Sequence, residues 1–138
     1  RGHNPILMDY GAMDVAHPDH TMPGAPPFAT YEGARFVMGD TLRFAQRMDL
    51  IKATPRNSLS STEYVLAHPG KEYVILQPSG KDTFTVNLEP GTYRVEWFDV
   101  YKRKTITTDA LTVEKPGIHK FTTPFNDAES VVLSLKAQ

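Results

Sequence analysis

The sequence predicts a mainly β protein, an antiparallel β-sandwich of about seven or eight strands preceded by one long amphipathic α-helix. Three observations predict it. Between Thr30 and Asp49 the apolar residues recur at steps of three and four, the period of a helix with one apolar face. From Tyr64 onward apolar and polar residues alternate, the period of a strand with one face buried. The alternating runs are separated by Pro69-Gly70, Pro78-Ser79-Gly80, Pro90-Gly91, Pro116-Gly117 and Asn126-Asp127, residues whose backbone preferences make turns.

Taken in order, residues 4–9 form a short apolar run readable as one buried strand, with Pro5 close to its start, where a missing N–H is tolerated. Residues 10–29 are rich in Gly, Pro, His and Asp and read as a loop, a length usually found where a loop has a function or no fixed structure. Thr30 is the expected N-cap of the helix, with Glu32 placed where the helix dipole favours a carboxylate. Ala34, Val37, Met38, Leu42, Ala45 and Met48 make its apolar stripe, and Pro55 requires an end near residues 49–53. Strands are expected at 64–68, 72–77, 83–88, 93–100, 104–108, 110–113, 119–123 and 130–135. Residues 91–104 are central, because Tyr93, Val95 and Trp97 alternate with Arg94 and Glu96. The chain's one Trp is therefore expected near the middle of the core.

Composition sets the outer limits. A chain of 138 residues holds one ordinary domain with room for a short appendage, and it can bury a core without covalent staples. Its 15 basic and 16 acidic side chains leave no electrostatic footprint for nucleic acid or an anionic membrane, and argue against polyanions as partners. With no cysteine, disulfides, thiolate metal sites and cysteine nucleophiles are excluded. No apolar run approaches the length of a membrane span, and the start lacks the apolar core of a signal peptide. Arg at position 1 suggests a fragment or a processed chain.

Three polar groupings are candidates for chemistry. His17, Asp19 and His20 offer a metal two imidazoles and a carboxylate, although their spacing matches no strong metal motif; solvated loop residues are the simpler account, and no metal or cofactor is assigned. Ser58, Ser60, Ser61 and Thr62 have no base or orienting acid near them in sequence, which favours a polar connection over a nucleophile. Phe98 and Tyr101, with Tyr64 and Tyr73 behind them, are the aromatic candidates for stacking on a sugar ring. Lys102, Arg103 and Lys104 beside them make a small basic turn, most simply one that keeps a hairpin soluble. His68 and His119 fall at strand ends and read as structural or exposed.

The runs EYVLAHPGKEYVILQPSG and TFTVNLEPGTYRVEWFDVYKRK resemble the C-terminal β-sandwich, labelled a collagen-binding domain of a collagenase, that follows apiosidase-like glycoside hydrolase barrels. RGHNPILMD resembles the last strand of such a (β/α)8 barrel, and ARFVMGDTLRFAQRMDLIKATPRNSLSSTEYVLAHPGKEY its last helix passing into the sandwich. The resemblance implies that residues 1–53 are the end of a barrel and 54–138 an accessory domain, with Met38, Leu42 and Met48 packing the helix against the sandwich. It implies an extracellular or periplasmic setting and, as partners, the parent's catalytic barrel and a polysaccharide.

One strand and one helix cannot build a barrel's catalytic face, which takes its residues from the ends of several strands. No catalytic residue is therefore assigned. Asp9 would contact substrate in an intact barrel or cap the loop that follows it. A carbohydrate- or matrix-binding module is the alternative, and a small metal-dependent enzyme built on residues 17–20 is a third. Ile6, Leu7 and Met8, if cut off from neighbouring strands, would dock elsewhere, for which a second copy making a homo-oligomer is one outcome.

Overall fold

The computed structural model describes residues 32–79 and 83–138. These residues form one α-helix and eight strands in two antiparallel sheets. They divide between two compact units, one ending at Arg47 and the other running from Met48 to Gln138. Residues 4–9, the 10–29 loop and Thr30 lie outside the described residues.

In the first unit, α1 spans Glu32–Arg47, with Glu32 in its first turn and Arg47 in its last, each favourable to the helix dipole. Arg43 and Arg47 both lie over the Phe44 ring, 5.6 Å from its centroid. Along the expected apolar stripe Met38, Ala45 and Met48 are half-buried, whereas Ala34, Val37 and Leu42 are exposed. Leu42, assigned to packing, is 57% exposed, Phe36 and Val37 are exposed as well, and the buried residue of the helix is Asp40, paired with Arg43 at 3.5 Å.

The helix stops earlier than Pro55 alone requires, because Asp49 organises a turn of its own. The Asp49 N–H donates to Glu72 Oε1 at 2.7 Å. Asp49 Oδ1 accepts the Ile51 N–H, and its carbonyl accepts those of Lys52 and Ala53. This leaves Ile51 95% exposed.

The second unit is the sandwich. Its larger sheet contains β1 (Thr54–Pro55), β2 (Val65–His68), β3 (Glu72–Gln77), β5 (Gly91–Asp99), β6 (Lys104–Val113) and β8 (Val131–Ala137), in the order β1-β2-β3-β8-β5-β6. The smaller sheet pairs β4 (Phe84–Leu88) with β7 (Gly117–Phe121). The expected segments 104–108 and 110–113 are one strand. A register shift opposite Tyr93 to Val95 absorbs Asp109 and Ala110 as a bulge, so the break in alternation marks an irregularity and not an end.

Alternation decides the core. Val65, Ala67, Tyr73, Ile75, Tyr93, Val95, Trp97, Leu133 and Leu135 of the large sheet meet Phe84, Val86, Leu88 and Phe121 of the small one. Trp97 is buried at the centre, edge-on to Phe84 at 6.0 Å and to Phe121 at 6.3 Å, while Phe84 and Phe121 stack at 5.9 Å. Burying an indole of ~200 Å² stabilises by up to about 5 kcal/mol before ordering costs.

A second aromatic pair closes one end of the sandwich. Tyr73 and Tyr93 meet edge-on at 5.8 Å. The Tyr73 hydroxyl accepts the N–H of Gly70 and of Glu89, while the Tyr93 hydroxyl donates to the Glu89 carbonyl at 2.8 Å. Two turns are thereby tied to one buried pair. Gly70 sits at φ +77°, a conformation that a side chain would strain.

Candidate functional site

The tip of the β5–β6 hairpin is the strongest candidate site among the described residues. Asp99 ends β5, wholly buried, opposite Val131 on one side and Lys104 on the other. Its Oδ1 accepts the backbone N–H of Tyr101 at 3.0 Å and of Lys102 at 2.9 Å, an Asx turn that fixes the tip from beneath. Its Oδ2 is buried without a hydrogen-bond partner among the described residues. Arg103 follows at φ +53°, the left-handed region that non-glycine residues seldom adopt. Lys102 reaches across to Asp127 in the loop that leads to β8. The hydrogen bond that Lys102 donates to Asp127 raises its ammonium above the ordinary range, and the Asp99 charge adds to the effect.

These restraints hold Tyr101 in solvent, 76% exposed, among Lys102, Arg103 and Lys104, which are exposed as well. Phe98, its expected partner as a stacking platform, is only 2% exposed. Phe98 lies on the face of the large sheet opposite the Trp97 core, and that face is covered there too; a buried ring cannot stack on a ligand. Tyr64 is partly exposed at the start of β2, and Tyr73 is in the core. Of the four aromatic candidates, Tyr101 is the most exposed, with Tyr64 next at 37%.

The other polar groupings have structural roles or lie out of view. Asp9, His17, Asp19 and His20 fall outside the described residues. The serine-rich connection stitches the two sheets together. Ser60 bridges Val86, the Ser61 N–H donates to the Thr85 carbonyl, and the Thr85 N–H donates to Ser61 Oγ at 3.0 Å. His68 and His119 are half-buried at β2 and in β7. Among the described residues no group of three or more His, Cys, Asp or Glu could hold a metal, and no helix is long and apolar enough to cross a membrane. Asp99 is the residue that sequence reasoning passed over. Its signal was an Asp placed two and three residues before a Tyr-Lys pair in a turn.

The fold and the tip together define a small β-sandwich with a restrained, aromatic-bearing loop. No family model and no curated protein matches the chain. Among solved structures it is similar to one named "Glycoside hydrolase", with a TM-score of 0.60 and 11% identity, over 83% of this chain and 28% of that one. At this identity the likeness is one of fold.

Proposed function

We propose that this chain is the noncatalytic C-terminal accessory domain of a glycoside hydrolase-like protein, packing on the parent's catalytic barrel and aiding its hold on a polysaccharide. One observation carries the reading. The chain matches a glycoside hydrolase structure over most of its own length while spanning only 28% of that structure. The match supports a domain associated with such enzymes, and the apiosidase-like resemblance narrows the proposal to the end of a (β/α)8 barrel followed by its sandwich. The setting that goes with this reading is extracellular or periplasmic.

The test has two arms. Sequencing the gene upstream of Arg1 is expected to reveal the alternating strands and helices of a barrel, on the order of 250 residues. The purified chain is expected to release no product from a panel of nitrophenyl glycosides that the full polypeptide cleaves. A gene without a barrel, or turnover by this chain alone, overturns the proposal. Tyr101 favours a second reading as well, that of a carbohydrate- or matrix-binding module. The two are compatible where the sandwich both packs on a barrel and touches its polymer.

A further inference from the structure

We propose that the turn at residues 49–53 is an anchor by which the sandwich seats on the parent's catalytic barrel, with Leu50 and Ile51 as the apolar pair buried in that interface. The inference rests on the accessory-domain reading and names the surface through which the partner is met.

The turn is built to hold its shape. The Asp49 N–H donates to Glu72 Oε1 at 2.7 Å, and Glu72 is itself buried at the start of β3. Asp49 Oδ1 accepts the Ile51 N–H at 3.2 Å, and the Asp49 carbonyl accepts those of Lys52 at 3.0 Å and Ala53 at 2.8 Å. The Lys52 ammonium lies 3.5 Å from Asp49 Oδ2, and Ala53 is buried where the chain enters β1. The cost of ordering this turn is met on folding, before a partner arrives.

What the turn displays runs against its local chemistry. Turn positions favour Gly, Asn, Asp and Ser, and an exposed one gains nothing from a long aliphatic side chain. Yet Leu50 is 51% exposed and Ile51 95%, the highest value among the large apolar side chains described. Exposed aliphatics scattered singly are ordinary on a surface. Two in succession on a restrained turn make a small protrusion suited to the apolar centre of a larger interface.

Position selects the occupant. Ile51 follows Arg47, the last residue of α1, by four residues, and four residues of extended chain span at most about 14 Å. In the accessory-domain reading α1 is the barrel's last helix, so covalent geometry alone keeps the barrel within reach of Ile51. That tether gives the barrel a high effective concentration at the turn, which a second copy of the chain does not have.

The experiment is hydroxyl-radical labelling, read by mass spectrometry, of the intact parent polypeptide and of the 138-residue chain. Leu50 and Ile51 are expected to be labelled about fivefold more slowly in the parent, as side chains moved from solvent into the core of an interface. The double variant Leu50→Ser/Ile51→Ser is expected to leave the thermal unfolding of the chain unchanged, because both side chains are exposed in it. In the parent the same variant is expected to lower the unfolding midpoint of the sandwich.

Equal labelling in the two proteins, or an unchanged midpoint for the double variant in the parent, overturns the inference. So does protection that arises in the chain itself as its concentration is raised, which assigns the pair to a second copy. Each of these results, in a parent whose gene encodes the barrel, leaves the accessory-domain reading standing. A gene without a barrel overturns both.

Discussion

Asp99 divides its two carboxylate oxygens between opposite situations. One holds the Tyr101 and Lys102 amides, and the other is buried without a partner among the described residues. Asp99→Ala removes the acceptor and is expected to destabilise by about 2–3 kcal/mol, the cost of leaving charge-assisted donors unmade. Asp99→Asn keeps Oδ1 and places an amide nitrogen at the orphaned position, so its cost is expected to stay under about 1 kcal/mol. Urea unfolding of both variants checks this, and equal losses would mean that the turn bonds are not what matters. Tyr93 gives a pH-dependent counterpart. Burial, reinforced by Tyr73, raises its phenol above the ordinary value of 10.0. The folded chain therefore favours the protonated ring. That contribution is present in full below the ordinary value and is lost as pH climbs from there toward the raised one. Thermal unfolding followed between about pH 9 and 11 should show a steeper loss for the parent chain than for Tyr93→Phe.

At the scale of elements, burial separates positions that look alike in the sequence. Leu42 and Leu133 both fall on apolar stripes, yet one is mostly exposed and the other is fully buried. Leu42→Ser is expected to change the stability of this chain by less than about 0.5 kcal/mol, whereas Leu133→Ala should cost about 2–5 kcal/mol. Calorimetry of the two variants decides it. The same comparison shows what was legible in advance. Strand positions were, because alternation is a local property: Trp97 in the core and β3 at Glu72–Gln77 follow from period and turn residues alone. Phe98 was not, because alternation assigns a residue to a face without saying whether that face is covered. The end of α1 was hidden for a different reason. The turn that follows it is anchored by Glu72, 23 residues away from Asp49, receiving the Asp49 amide. Within the site Tyr101 was legible as an aromatic in a turn, while the restraint beneath it required the depth of Asp99.

At the scale of the molecule, the sandwich from Met48 to Gln138 is a compact unit with its own core. Expressed alone, it is expected to unfold in one cooperative transition, with Trp97 fluorescence and far-ultraviolet dichroism coinciding. Separate transitions would show that the core needs the preceding residues. The large sheet also treats its two margins unequally. On one side the last strand is β1, two residues long and ending in Pro55, which has no N–H to offer. On the other side lies β6, ten residues without proline or glycine, whose bulge at Asp109 and Ala110 divides the rim into a longer and a shorter straight stretch. Growth of this sheet by an added strand is therefore directional. Among the described strands, an added strand would find a longer straight rim in the β6 residues before the bulge than in β1, which is two residues long and ends in proline.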